Sequence, residues 1–104
     1  MKIAFDHTIF LIQKYGGISR YFIELQRNLK KKHNSRIFCP IHLNEFLNKK
    51  SDNNLSLLKI NYIPRYMTKI LNSINYYYND IYFSKWKPEI IHKTYYNNYL
   101  YNNY

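Results

Sequence analysis

Tyr15-Gly16-Gly17-Ile18-Ser19-Arg20-Tyr21-Phe22 holds the only two glycines of a 104-residue chain. A glycine fills no core and costs backbone entropy. Placing both on one turn, directly before an amphipathic run, points to a tight loop feeding a helix, with the backbone in the positive-φ region or lying against something bulky. From Ile18 onward the apolar residues Ile18, Tyr21, Phe22, Leu25 and Leu29 recur at helical spacing, while Arg20, Glu24, Arg27 and Lys31 take the opposite face. Gly17 or Ser19 is the expected N-cap. Lys30-Lys31-Lys32 sits where a helix end favours cations, so the helix should close near His33-Asn34.

Upstream, Lys2-Ile3-Ala4-Phe5-Asp6 is a short apolar run ending in a carboxylate, which reads as a buried strand with Asp6 and His7 at its C-terminal edge. Thr8 to Tyr15 reads as an unusually apolar loop, a flap over the strand ends. Downstream, Arg36-Ile37-Phe38-Cys39 is a second strand stopped by Pro40. Leu43, Phe46 and Leu47 mark a helical turn or two, and Asn48 to Asn54 a polar loop. Leu57 to Ile63 alternates as a third strand. Met67, Ile70, Leu71, Ile74, Tyr77, Tyr78 and Ile81 then keep a helical period, giving a helix from about Arg65 to Phe83. After Pro88, Glu89 to Thr94 reads as a fourth strand that empties into a tail of Tyr and Asn. Alternating strands and helices imply one α/β domain over residues 1–104, with a short parallel sheet and right-handed crossovers.

Sixteen Lys and Arg against six Asp and Glu leave a formal charge of +10, which attracts phosphate, whether of a nucleotide, a nucleic acid or an anionic lipid. Cys39 stands alone, so no intrachain disulfide forms. Asp6 and His7 occupy the place where a signal peptide has its apolar core, and no run is long enough for a membrane span, which points to the cytoplasm. The thirteen tyrosines accompany an Asn-, Lys- and Ile-rich bias and are not by themselves a functional clue.

The glycine turn offers free N–H groups and a positive helix end to a phosphate; the alternative is a turn without a ligand. No third glycine exists to complete a dinucleotide or P-loop fingerprint. Asp6 and His7 are suited to a sugar hydroxyl or a proton transfer, or else to a structural role. His92, inside Ile90-Ile91-His92, reads as a satisfied core residue. His7, His33, His42 and Cys39 fall at no ligand spacing, so no metal site is expected. The lysine runs read as solvated faces, although basic residues interleaved with tyrosines also suit a non-catalytic module binding nucleic acid or anionic membrane.

Taken together, Met1-Lys2-Ile3-Ala4-Phe5-Asp6-His7, Tyr15-Gly16-Gly17-Ile18-Ser19-Arg20-Tyr21-Phe22 and Lys87-Pro88-Glu89-Ile90-Ile91-His92-Lys93-Thr94-Tyr95-Tyr96 resemble, in that order, the N-terminal half of a bacterial family 4 glycosyltransferase. The resemblance implies a partial Rossmann-like domain of a GT-B enzyme. Such an enzyme moves a sugar from a nucleotide-sugar to a glycan or lipid-linked acceptor in cell-surface polysaccharide synthesis, with retention and without a required metal. It implies that Gly16 and Gly17, with Arg20 nearby, face the donor diphosphate, and that Asp6, His7, Tyr95 and Tyr96 line the acceptor side; it singles out no catalytic residue. The donor-binding domain of such enzymes has no counterpart in these residues, and Asn97-Asn98 stands where relatives usually place Asp-Pro. A chain of this kind is expected to be inactive alone. It is also compatible with peripheral contact with the inner face of an anionic membrane, and nucleic acid is not its expected partner.

Overall fold

The computed structural model describes residues 1–45, 47, 54–95 and 101. The turn expected around Phe46, most of the polar loop from Asn48, and Tyr96 lie outside the described residues. In chain order the elements are β1 (Lys2–Phe5), α1 (Thr8–Ile12), α2 (Gly17–Leu29), β2 (Asn34–Ile37), β3 (Ile41–His42), β4 (Leu58–Lys59), a 3-10 turn (Arg65–Met67), α3 (Thr68–Trp86) and β5 (Ile90–His92). The strands β2, β1 and β5 lie side by side in that order, all parallel, with Phe5 opposite both Ile37 and His92. Pro40 brings no N–H to a ladder, and the chain resumes beyond it as β3, which pairs in parallel with β4. A parallel bridge between Phe38 and Leu55 joins the two stretches. The third strand is therefore shorter than its alternation predicts.

Side-chain alternation along β1 divides the core between the two sheet faces. Ile3 and Phe5, with Ile37 and Cys39, pack against Ile9, Phe10, Phe22 and Ile23 of α1 and α2. Ala4, with Phe38, packs against Tyr76 and Phe83 of α3 and against Tyr101. The result is a small α/β domain whose parallel sheet is covered by helices on both sides.

Three expectations are corrected. Thr8 to Ile12 is a helix and not a flap, because the Asp6 carboxylate accepts from the Thr8 N–H and hydroxyl and starts the turn, after which Thr8 to Leu11 are buried. The inner face of α2 is Ser19, Phe22, Ile23 and Gln26, leaving Ile18 and Tyr21 exposed. Gln26 turns inward because its Nε2 donates to the Ser35 carbonyl while the Ser35 hydroxyl donates to the Gln26 carbonyl, clasping α2 to β2. The inner face of α3 is Leu71, Asn75, Tyr76, Asn79 and Phe83, so Ile70, Tyr77, Tyr78 and Ile81 of the expected stripe point outward.

Candidate functional site

Because the strands run parallel, their C-terminal ends meet at one edge, where α/β sheets bind ligands. Asp6 lies there, wholly buried. Its Oδ1 accepts from the Thr94 N–H at 2.9 Å, the Thr94 hydroxyl at 2.8 Å and the Thr8 N–H at 3.3 Å, while Oδ2 accepts from the Thr8 hydroxyl and the Tyr101 hydroxyl, each at 3.2 Å. Thr94 Oγ1 in turn accepts from the Ile9 N–H at 3.0 Å. A carboxylate offers about four lone-pair sites, so this one has no acceptor capacity left for a sugar. It welds the ends of β1 and β5 to the start of α1.

His7 is also fully buried. Asn79 Nδ2 donates to the Phe38 carbonyl at 3.2 Å, which fixes the amide so that the same nitrogen donates to His7 Nδ1, also at 3.2 Å. Nε2 of His7 therefore carries the proton and donates to Asn72 Oδ1 at 2.6 Å. Burial lowers the pKa of this imidazole against the opposing pull of the Asp6 charge and the Asn72 bond. One helical turn on, Asn75 donates to the Ile41 carbonyl and accepts from the Ile41 N–H, as a neighbouring strand would. Three asparagines on one face of α3 thus hold the residues that follow β1 and β2 and the start of β3, a set invisible to a search for apolar periodicity. Their spacing at positions 72, 75 and 79 was the available signal, since asparagine is a poor helix former that is kept inside a helix for a reason.

Gly16 caps α2 in an extended conformation, and neither glycine has positive φ. The side-chain amide of Gln13 fills the space a Cβ at Gly16 would need, and its Oε1 accepts the Ser19 N–H at 3.2 Å. A side chain at Gly17 would meet nothing. Close approach of the Gln13 amide, and not backbone conformation, is what a side chain at position 16 would disturb. Arg20 lies exposed on the first turn of α2.

An open cleft of about 430 Å³ is lined by Leu11, Ile12, Leu43, Tyr62, Ile63, Arg65 and Thr68. Asn44 Nδ2 holds the Gln13 carbonyl at 2.8 Å, the Glu45 N–H holds the Lys14 carbonyl at 2.9 Å, and Lys14 Nζ donates to the Asn61 carbonyl at 3.2 Å. The walls are aliphatic, the rim carries the Tyr62 ring, and Arg65 stands beside the first residue of α3, whose end is the positive pole of the helix. Such a cleft suits a ligand with an apolar face and an anionic group. Tyr95 is partly exposed where β5 ends, Tyr96 lies outside the described residues, and His92 is exposed on β5, its ring against Phe5 and Phe22. Among the described residues no group of three His, Cys, Asp or Glu side chains gathers as metal ligands, and no helix is long and apolar enough to cross a membrane. Comparison with known proteins returns no matching family model, no matching curated protein and no matching solved structure.

Proposed function

We propose that this chain is the N-terminal, acceptor-side half of a retaining family 4 glycosyltransferase with a Rossmann-like arrangement, working at the cytoplasmic side of cell-surface polysaccharide synthesis. The supporting observation is convergence. The strand ending in Asp6-His7, the turn at Gly16-Gly17 and the strand ending in Thr94 are far apart in sequence. The first and last of these meet at one sheet edge, where Asp6 accepts from the Thr94 hydroxyl across 88 residues. Beside that junction lies the cleft, which would take the acceptor. Leu11, Ile12, Leu43 and Ile63 exclude water, Tyr62 stacks on a sugar face, and Arg65 with the start of α3 receives a phosphate. Asp6 and His7 act beneath it, fixing α1 and α3 against β1. Gly16, Gly17 and Arg20 face the donor diphosphate, which a separate donor-binding domain supplies as nucleotide-sugar; no metal is called for.

The test is titration of the isotope-labelled chain with a glycosyl phosphate. Amide shifts centred on Leu11, Tyr62 and Arg65 are expected, with an Arg65→Ala variant binding about tenfold more weakly, the loss of one charge-assisted contact of 1.5–3 kcal/mol. Common nucleotide-sugars should give no sugar transfer with the chain alone. Shifts confined to other surfaces, or robust transfer by this chain unaided, would overturn the proposal.

A further inference from the structure

A soluble helix usually keeps charge on its outer side, whereas one apolar all round is covered on both sides. The outer side of α3 carries Ile70, Ile74, Tyr77 and Ile81 at successive turns, with Ile70 56%, Tyr77 66% and Ile81 36% exposed and Ile74 half-buried. Tyr62 and Tyr66, just before the helix, are more than three-quarters exposed (76% and 78%), and Tyr78 flanks the stripe. A shallow groove runs along the C-terminal half of the stripe, lined by Tyr77, Asp80, Ile81, Ser84 and Lys85. Lys85 also lines an adjoining hollow with Arg36, Tyr82 and Trp86, in which the Arg36 guanidinium lies 5.2 Å from the centre of the Trp86 ring and its Nε is buried without a hydrogen-bond partner.

We infer that this face docks on an anionic phospholipid surface. Ile70, Tyr77 and Ile81 enter the headgroup boundary, Tyr66 and Tyr78 sit at its polar level, and Lys69, Lys85 and Arg36 meet lipid phosphates. Charge selects this occupant over a second copy of the chain, because each copy carries +10 and the flanks of the stripe hold cations with Asp80 as the single carboxylate on α3. Aliphatic side chains between aromatic rings and lysines are the composition of an interfacial helix. The inference does not depend on what the sheet-edge cleft binds.

The experiment is co-sedimentation of the purified chain with vesicles of phosphatidylcholine, with and without phosphatidylglycerol. Binding is expected only with phosphatidylglycerol and should fall as salt rises. Ile81→Asp and Ile70→Asp should each weaken it about tenfold, the scale of one buried aliphatic side chain, and Lys85→Glu at least about fivefold. These positions are on the surface, so the circular dichroism of the variants should match the parent. Lys31→Glu, beyond α2 on the opposite layer, should leave binding within about twofold, since exposed charges more than a Debye length away are screened. Equal binding to pure phosphatidylcholine, no vesicle binding, or equal losses from Lys31→Glu and Lys85→Glu would overturn the inference. So would a dimer that Ile81→Asp dissociates, or tighter binding to duplex DNA abolished by the same substitutions.

Discussion

His42 is held neutral inside the fold. Its Nδ1 accepts from the Asn44 N–H at 3.2 Å and its Nε2 donates to the Ser56 hydroxyl at 2.9 Å, so a second proton would break the first bond. Burial, helped by the Lys59 charge and opposed by Glu45, lowers its pKa from 6.5 to about 4. The unfolded chain takes up a proton near pH 6.5, whereas the native one resists to about 4. Stability is therefore full above pH 6.5 and declines as the pH falls between these values, by on the order of 2–3 kcal/mol. His7, also lowered by burial, adds in the same direction. Urea melts at pH 7 and pH 4.5 should show this loss, and His42→Gln should flatten it. The glycines make a second case at this scale. Gly16→Ala displaces the Gln13 amide from Ser19 and should cost about 1 kcal/mol. Gly17→Ala enters open space at the first helical position and should gain about 0.5–1 kcal/mol. Opposite shifts in thermal midpoint are the expected result.

Among the elements, α3 closes on a residue that does not suit its backbone. Lys87 caps the helix in the left-handed region with φ of 55° and donates its N–H to the Phe83 carbonyl at 2.8 Å, directly before Pro88. A side chain is disfavoured there, and a following proline disfavours it further, so Lys87→Gly should stabilise the domain by about 1 kcal/mol in chemical denaturation. The existence and order of α2, α3, β1 and β5 were legible because apolar runs lie between glycine, proline and lysine punctuation. Their bounds differ: α2 stops at Leu29, short of His33-Asn34, α3 runs from Thr68 to Trp86 where Arg65 to Phe83 is expected, and β5 keeps only Ile90–His92 of Glu89 to Thr94. The inward faces of the helices were not legible. Periodicity assumes apolar side chains inside, but Ser19, Gln26, Asn72, Asn75 and Asn79 bond main-chain groups or a buried ring and displace Ile and Tyr outward. Of the site, the sheet-edge placement of Asp6, His7 and Thr94 was legible from strand ends followed by polar residues. The cleft was not, because its lining comes from segments whose meeting depends on Asn44 and Lys14. Tyr101 was equally hidden, a core residue in a stretch that reads as low in complexity.

At the scale of the molecule, one carboxylate joins the N-terminal strand, the first helix, the last strand and the tail. Burial and the adjacent Asp6 charge push the pKa of the Tyr101 hydroxyl well up, keeping it a donor, and its ring packs against Tyr76 and Phe83. Tyr101→Phe removes one charge-assisted bond and should cost about 1.5–3 kcal/mol, whereas Asp6→Asn turns an amide N–H toward groups that donate and should cost more than about 3 kcal/mol. Equilibrium denaturation of both variants checks the order. The Asp6 junction also sets a timetable. Synthesis delivers Asp6 early, with Thr8 close behind, but its remaining donors arrive only 88 and 95 residues later. Until Thr94 and Tyr101 leave the ribosome, closing the sheet would seal an under-compensated charge away from water, at a cost of several kcal/mol. Closure of the sheet at its first strand is thus expected to wait for Thr94 and Tyr101.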